Sequence, residues 1–211
     1  MRIVKGNKQF DMNKKDISEL NNKYHEVILD LGTGDGRFVF TQAKNNPNNL
    51  HIGIDPSAKQ LEVYSKKANK ERLENVLFGI GSIEHMPQEL NGLVDELYII
   101  LPWGTLLEAI VKVNENAKKI PYVLKKGGKL KIILGYTKDT EPSETKRLNL
   151  QELTPKYIDE IVIKGFENLN LTSTSVSELE KKDLQEFEST WSKKLAFGKE
   201  RPIYLLSFTK K

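Results

Sequence analysis

Short apolar segments rich in β-branched residues alternate with longer segments of helical periodicity along most of the chain. This alternation predicts βαβ units and a parallel sheet. The strand segments lack a regular exchange of apolar and polar positions, as expected for strands that helices cover on both faces. We therefore predict an α/β fold with strands at 27–31, 50–54, 76–80, within 93–101, and at 129–134, 169–176 and 203–208.

The remaining segments complete this picture of a single domain over residues 1–211. Residues 1–12 predict a β-hairpin, because two short strands flank a Gly6-Asn7 turn. Segment 137–149 is polar and has no apolar period, so we predict a loop after the fifth strand. The whole is a seven-stranded, mostly parallel sheet with helices on both faces, preceded by the hairpin. The predicted helices are 14–23, 37–45, 57–72, 105–118 and 155–164, with a further helical stretch from residue 180.

The composition restricts the kinds of catalytic site, metal site and partner that we expect for this chain. The chain has no cysteine, which excludes disulfides, thiolate metal sites and a cysteine nucleophile, and its three histidines are far apart, so we expect no metal. No apolar run is long enough to span a bilayer and the N-terminus has no apolar signal core, so we expect a cytoplasmic protein without a membrane partner. The net charge of +4 and the pI of about 9.0 lean weakly toward an anionic partner.

A glycine-rich turn closes the first strand of the predicted parallel sheet and precedes a helix. Its sequence is Asp30-Leu31-Gly32-Thr33-Gly34-Asp35-Gly36-Arg37. Glycines allow a tight turn and a close approach of ligand to backbone, and ligands of open α/β sheets bind at the carboxyl ends of the strands. Asp55 ends the next strand, where a carboxylate can hydrogen-bond both hydroxyls of a ribose. The pattern predicts a nucleoside-containing cofactor.

The acidic residues in and before this turn distinguish between two candidate cofactors, NAD and S-adenosyl-L-methionine. A dinucleotide fingerprint is Gly-x-Gly-x-x-Gly and places a pyrophosphate at the helix N-terminus, whereas the spacing here is Gly-x-Gly-x-Gly. Asp30 and Asp35 would repel a pyrophosphate, but they suit a cationic sulfonium with an amino-acid tail. We therefore predict S-adenosyl-L-methionine rather than NAD.

These motifs resemble those of the class I methyltransferases, which have a Rossmann-like fold. The segment 30–36 matches their first motif, Gly53-Ile54-Asp55 their second, and 124–130 their usual approach to the fifth strand. In that family the segment after the third strand, here 81–84, lies beside the adenine of the cofactor. The resemblance bears on the cofactor and leaves the substrate open.

Missing residues restrict the substrate. Methylation of cytosine C5 requires a cysteine nucleophile. Methylation of an exocyclic amine usually uses an Asn/Asp-Pro-Pro-aromatic tetrad after the fourth strand, where this chain has Leu101-Pro102-Trp103-Gly104. The chain also has no convincing set of a lysine and acids for methylation of a ribose hydroxyl. What remains is an acceptor that needs no deprotonation, such as N1 of adenine, for which catalysis is alignment of a lone pair with the methyl group. An aromatic face at Trp103 would stack on the base and attract the cationic product.

Two tryptophans allow a structural and a functional interpretation. Trp103 follows the fourth strand at the ligand edge of the sheet, but a tryptophan there could equally pack into the core. Trp191 continues a helical stripe with Leu184 and Phe187, which favours burial, yet basic residues surround it and the segment 65–72 is also basic. Tryptophan among basic residues suits stacking on a base with phosphate contacts around it, so nucleic acid becomes the leading substrate class.

Over nearly its whole length the chain resembles the aminoglycoside-resistance methyltransferases that modify N1 of adenine 1408 in 16S ribosomal RNA, the NpmA and KamB group. The most specific matches are the segments 102–108 and 195–198 together with Trp191. The resemblance implies that the substrate is the assembled 30S subunit and that the target adenine is flipped between Trp103 and Trp191, which are the predicted catalytic residues.

The resemblance also implies the remaining site residues and a protein acting as a monomer. Lys194 and Lys199 stand where the group has arginine. Lysine lacks the bidentate fork of the arginine guanidinium. The predicted cofactor contacts are Asp30, Gly32, Thr33, Gly34, Asp55, Pro56, Ile83, Glu84, Leu101, Thr105 and Ser189. The predicted RNA contacts are Lys66, Lys67, Lys70, Lys194, Lys199 and Arg201. Two alternatives stay open: a methyltransferase of another RNA such as tRNA, or of a small molecule, and an RNA-binding module without catalysis.

Overall fold

The computed structural model describes residues 1–180, 182–187 and 201–211, and of Glu186 only the backbone. Its strands form one nine-stranded sheet of order β2-β1-β5-β4-β3-β6-β7-β9-β8. The strands are β1 (Arg2–Lys5), β2 (Lys8–Asp11), β3 (Val27–Leu31), β4 (Leu50–Asp55), β5 (Val76–Ile80), β6 (Val94–Ile100), β7 (Leu124–Leu134), β8 (Leu171–Glu178) and β9 (Tyr204–Lys210).

Helices cover both faces of this sheet. Three short 3₁₀ segments, Gln88–Leu90, Ala117–Lys119 and Asp183–Phe187, join other elements. The α-helices are α1 (Lys14–Asn21), α2 (Arg37–Asn45), α3 (Ala58–Glu71), α4 (Gly104–Lys112), α5 (Ile120–Val123), α6 (Pro142–Arg147), α7 (Pro155–Tyr157) and α8 (Lys164–Glu167), with a π-helical segment Ile158–Ile163 between the last two.

The strand order confirms the predicted α/β architecture. Strands β3 to β7 are parallel, and β9 pairs antiparallel with both β7 and β8, which gives the seven-stranded core sheet. The predicted hairpin is present as β1 and β2, and it also extends the sheet, because β1 pairs antiparallel with β5. The order reverses between β4 and β6 on either side of β3, which is where ligands bind in open α/β sheets.

The central strands are apolar because both of their faces are covered. All five residues of β3 and all six of β4 are buried. Leu29, Ile52 and Ile54 are among the largest fully buried side chains, and each such burial contributes about 1.5–3 kcal/mol to stability. This rigid centre holds the strand ends that carry Asp30 and Asp55.

Several predicted segments differ from the structure: the strand predicted at 129–134 begins already at Leu124, and within the described residues the helical stretch predicted from residue 180 is the 3₁₀ segment Asp183–Phe187. The helix predicted at 105–118 ends at Lys112, because Val113 adopts a left-handed conformation with φ 46° and caps the helix. The loop predicted at 137–149 contains α6, which local polar contacts stabilise instead of an apolar stripe: Thr145 Oγ1 donates to the carbonyl of Glu141, and Glu144 pairs with Arg147. The helix predicted at 155–164 passes through the π-helical segment and continues to Glu167.

Candidate active site

A cavity of about 420 Å³ opens at the carboxyl ends of β3, β4, β5 and β6. Its walls come from the loops that follow these four strands and from the first turns of α3 and α4. The lining residues are Leu31, Gly32, Gly34, Asp55, Pro56, Ser57, Gln60, Gly81, Ser82, Ile83, Glu84, Leu101, Pro102, Trp103, Thr105 and Leu106. The structure therefore brings together eight of the eleven predicted cofactor residues as lining of one cavity, whereas Asp30 and Thr33 are buried and do not line it.

A larger cleft of about 960 Å³ lies next to this cavity and shares Glu84 with it. Its lining residues include Lys14, Gln88, Lys119 and Tyr122, and it has neither a glycine-rich turn nor a buried carboxylate. The smaller cavity at the strand ends is therefore the candidate site.

Backbone hydrogen bonds fix the glycine-rich turn against β4. The amides of Gly32 and Thr33 both donate to the carbonyl of Ile54, at 2.8 and 3.0 Å. Gly32 has φ 80°, and a Cβ atom there would lie 2.7 Å from Leu106 Cδ2. Only glycine satisfies both the left-handed conformation and the close packing.

Asp55 connects this turn to the start of α3. Its Oδ2 accepts from the amide of Gly34 at 3.0 Å, and its Oδ1 accepts from the amide of Ser57 at 2.8 Å. Burial raises the pKa of Asp55, while these two amides oppose that rise. Each carboxylate oxygen keeps a lone pair that can accept from a ribose hydroxyl.

Asp30 is the most strongly perturbed carboxyl group of the site. It is 2% exposed, and its Oδ1 has no hydrogen-bond partner among the described residues. Burial raises the pKa of Asp30 to about 7; the nearby Thr33 hydroxyl opposes this rise, and the negative charge of Asp55 adds to it. A buried carboxylate without a cation is costly, so a cationic ligand beside Asp30 would stabilise its ionised form.

Ile83, Glu84 and Thr105 form the wall of the cavity opposite the turn. Ile83 is buried and offers an apolar surface, and Glu84 lies beside it at the cavity lining. Burial by itself raises the pKa of Glu84, but hydrogen bonds with the side chains of Thr105 and Ser82 outweigh it and lower the pKa overall. Glu84 is therefore an anionic acceptor, and Thr105 on α4 orients it.

A strained turn at the end of β6 presents Trp103 at the cavity. Leu101 has φ 47°, which is rare for leucine, and it keeps a sheet hydrogen bond from its amide to the carbonyl of Ile133 at 2.9 Å. Such strain costs about 1–3 kcal/mol and is concentrated at functional sites. Trp103 is 44% exposed and lines the cavity, so the core interpretation of this tryptophan is wrong.

Glu144 holds this turn in place, and the sequence analysis did not find it. The amide of Gly104, which has φ 61°, donates to Glu144 Oε1 at 2.9 Å. Arg147 binds both oxygens of the same carboxylate at 2.9 and 2.8 Å. Glu144 is 6% exposed and lies 40 positions from Gly104 in the chain. The only local signal for it is the Glu-x-x-Arg spacing, which is common on exposed helices.

A second recess lies on the other side of Trp103. It shares Leu101, Pro102 and Trp103 with the cavity and is also lined by Glu141 and Arg201. Arg201 Nη1 donates to the carbonyl of Gly135 at 3.2 Å and forms an ion pair with Glu141. The Arg201 side chain is 10% exposed. Arg201, a predicted RNA contact, is therefore a largely buried wall residue of the recess whose charge is paired with Glu141.

Two residues of the glycine-rich turn have surroundings that the sequence does not show. Thr33 is buried behind the turn, where a Cβ on Gly53 would lie 2.8 Å from Thr33 Cγ2, and it does not line the cavity. Asp35 does not act as a free repulsive charge: its Oδ1 accepts from the amide of Arg37 at 3.1 Å, and its Oδ2 lies 3.5 Å from the Arg37 guanidinium. Asp30 alone carries the charge argument against a pyrophosphate.

The predicted RNA contacts are described in part. Lys66, Lys67 and Lys70 are exposed on α3. Lys66 Nζ lies 2.7 Å from a carboxylate oxygen of Glu62, and Lys67 Nζ lies 4.3 Å from the centre of the Tyr64 ring. Ser189, Trp191, Lys194 and Lys199 lie outside the described residues.

Neither a candidate metal centre nor a candidate membrane-spanning helix occurs among the described residues. In that part of the chain, no group of three or more metal-ligating side chains is close enough together to hold a metal ion. No helix within the same residues has the length and apolar character that crossing a membrane requires.

The fold and the cavity together define a class I methyltransferase. The parallel core has the order of that fold, the glycine-rich turn and Asp55 meet at its switch point, and the acids suit a cationic cofactor. KamB, a 16S rRNA methyltransferase of known structure, superposes with a TM-score of 0.90 at 26% identity, covering 100% of both chains.

Sequence comparison then identifies the family. The family profile described as NpmA, 16S rRNA (adenine(1408)-N(1))-methyltransferase, matches residues 2–209. An Escherichia coli protein with the same enzyme name is 35% identical over 98% of this chain and 97% of its own length. The structure of a 30S ribosomal adenine-1408 methyltransferase from an uncultured bacterium is 43% identical with a TM-score of 0.80, and both chains are covered completely. The chain belongs to the NpmA family of 16S rRNA (adenine(1408)-N(1))-methyltransferases.

Proposed function

We propose that this protein transfers a methyl group from S-adenosyl-L-methionine to N1 of adenine 1408 in the 16S rRNA of the 30S subunit and thereby gives aminoglycoside resistance. The observation that carries the proposal is the exposed indole of Trp103, which a strained turn holds at the mouth of a cavity lined by acidic side chains. Membership of the NpmA family supports the same substrate and position.

The residues of the cavity fit the cofactor. When bound, S-adenosyl-L-methionine supplies an electrophilic methyl group on a cationic sulfur. Asp55 would hold its ribose, the wall of Ile83 and Glu84 would border its adenine, and Asp30 would compensate positive charge near the turn. The unpartnered Oδ1 of buried Asp30 supports this fit, because the folded protein alone leaves that atom unsatisfied.

Trp103 would bind the target base outside the RNA helix. Flipping a base out of the stack costs a few kcal/mol, and stacking on an indole returns about 1–3 kcal/mol. We propose that Trp191 supplies the second face, on the strength of its motif in the sequence. The lone pair of N1 then needs no base to free it, so the protein accelerates the reaction by holding the ring in line with the methyl group.

Basic side chains would hold the RNA while the base is bound. Lys66, Lys67 and Lys70 on α3, together with Lys194 and Lys199, would contact phosphates, which position a protein without reading sequence. Arg201 would reach a phosphate through the recess beside Trp103, and Glu141 would orient it. We also propose that the protein acts as a monomer in the cytoplasm, where 30S subunits are found.

The test is methylation of purified 30S subunits with labelled cofactor, followed by primer extension. We expect incorporation of one methyl group per subunit and an extension stop at adenine 1408. Free tRNA and protein-free 16S rRNA serve as competing substrates. A label on another nucleotide, or on tRNA in preference to 30S subunits, would reject the assignment. Binding to 30S subunits without methyl transfer at any cofactor concentration would favour an RNA-binding module instead.

A further inference from the structure

The N-terminal hairpin and helix α3 share a buried joint. Ser65 of α3 is 2% exposed, and its Oγ donates to the carbonyl of Val4 at 2.8 Å. The same oxygen accepts from the amide of Gly6 at 2.8 Å, so one hydroxyl satisfies both backbone groups beside the hairpin turn. β1 also pairs with β5 at Arg2 and Ile3, and the buried side chains of Ile3 and Val4 pack into the core.

This joint connects two elements that each carry a pair of like charges. Lys5 and Lys8 are directly paired across the hairpin and are both exposed. Lys66 and Lys70 lie four positions apart on α3 and are also exposed. Like charges at directly opposed strand positions, and at i and i+4 of a helix, destabilise the elements that carry them.

The neighbouring acids neutralise this charge only in part. Glu62 pairs with Lys66, and Glu71 pairs with Lys44 of α2. Within residues 1–180, 182–187 and 201–211, no ion pair involves Lys5, Lys8 or Lys70. Lys5 borders the same groove as Ser65 and Asn69, so the turn of the hairpin lies against the face of α3 that adjoins Lys66 and Lys70. The exposed lysines therefore lie on the two elements that this joint connects, and among the described residues that line the groove Glu74 is the one acid.

We propose that the hairpin turn and α3 form a composite RNA-docking surface, with Lys5 and Lys8 as phosphate contacts and Ser65 as the residue that positions them. The partner is the phosphate backbone of the folded rRNA in the 30S subunit, because a phosphate row is the anion that relieves both pairs of like charges at once. This inference rests on the proposed function and extends its RNA surface from α3 to the hairpin.

The test compares equilibrium binding of the full-length protein to 30S subunits over a series of salt concentrations. We expect Lys5→Ala/Lys8→Ala to weaken binding about tenfold near physiological salt, and to lower the slope of log K against log salt by about 2, one for each lost phosphate contact. Lys126→Ala/Lys129→Ala is the matched control. These two exposed lysines lie in β7, five strands away from β1 in the sheet, and binding should stay within twofold of wild type.

Ser65→Ala tests the joint itself. We expect it to weaken 30S binding and lower the salt slope, although no charge is removed, while cofactor affinity is unchanged. Combined with Lys5→Ala/Lys8→Ala it should add little, because the lysines have already lost their fixed position. A purely structural hydroxyl would lower the melting temperature without moving the salt slope, and the effects of the two changes on binding would then be independent.

The outcomes separate this inference from the proposed function. Wild-type protein that binds 30S subunits without methylating them contradicts the proposed function and leaves the docking surface standing. Methylation by wild type, with Lys5→Ala/Lys8→Ala identical to the control in affinity and salt slope, overturns the docking surface alone. Wild-type protein that neither binds nor methylates 30S subunits overturns both.

Discussion

The two sides of Trp103 are built differently. On the cofactor side, hydrogen bonds join neighbours in the parallel sheet, such as the amide of Gly34 and the carboxylate of Asp55. On the target side, contacts join loops that are distant in sequence: Glu144 accepts from Gly104, and Arg201 pairs with Glu141 from 60 positions away. The first side follows from the common fold, whereas under the proposed function the second side receives the target base. Changes on the two sides should therefore affect cofactor binding and methyl transfer separately.

The largest difference between the effect on methyl transfer and the effect on cofactor binding is expected at Trp103. Trp103→Ala removes the stacking face and should reduce methyl transfer to 30S subunits at least 100-fold, while Trp103→Phe keeps an aromatic face and retains a substantial part of the rate. Cofactor affinity, measured by calorimetry, should stay within a few-fold for both variants. Tyr122→Ala is the control, since Tyr122 is an exposed aromatic residue that does not line the cofactor cavity. Equal loss in the alanine and phenylalanine variants would argue against stacking.

At Asp30 the opposite result is expected, a loss of cofactor affinity without a loss of affinity for 30S subunits. Asp30→Asn keeps the shape of the side chain but removes its negative charge, so affinity for the cationic cofactor should fall about 10–100-fold. Affinity for 30S subunits should be unchanged. The pair of measurements is calorimetry with the cofactor and a filter-binding assay with the subunits. A variant with normal cofactor affinity would show that Asp30 does not face the positive charge.

A smaller effect on transfer is expected at Glu144. Glu144→Ala leaves the amide of Gly104 without its acceptor and frees the turn that carries Trp103, which should slow single-turnover methylation about tenfold. Glu144→Gln keeps an acceptor oxygen for that amide and should retain more activity. Rates are measured at saturating cofactor, so that a binding defect cannot imitate the result. If glutamine and alanine are equally impaired, the charge on Glu144 matters more than the hydrogen bond.

The last effect concerns the stability of the cofactor-free protein. Because burial raises the pKa of Asp30 from its ordinary value of 3.8 in the unfolded chain to about 7 in the folded protein, its contribution to stability is complete below pH 3.8 and is lost as pH rises to about 7. The loss is of order 1–4 kcal/mol. Asp30→Asn should abolish this part of the pH dependence and be more stable at pH 7. Urea unfolding at pH 5 and pH 7 measures the free energy of unfolding of wild type and of Asp30→Asn. The same change in this free energy between the two pH values in both proteins would exclude the effect.

The sequence predicts the cofactor side well for a physical reason. Gly32, Gly34 and Asp55 are set by the geometry of a strand end and a ribose site, both of which leave a local signal. Arg37–Asn45 and Val27–Leu31 have the predicted bounds, since apolar periodicity is strong there. The burial of Thr33 and the pairing of Arg201 with Glu141 could not be predicted, because which way a side chain faces depends on packing partners from elsewhere in the chain. Glu144 was missed because its partner is 40 residues away.

The central claim is that alignment suffices for the reaction, with no residue removing a proton from the base. Among the described residues that line the recess beside Trp103, Glu141 is the only carboxylate, and it is paired with Arg201. The most direct test is the single-turnover rate of methyl transfer to 30S subunits at saturating cofactor, measured from about pH 6.5 to about pH 9. The account predicts a flat profile, for wild type and for Glu141→Gln alike. A rate that rises about tenfold per pH unit to a plateau in wild type, and not in Glu141→Gln, would contradict it.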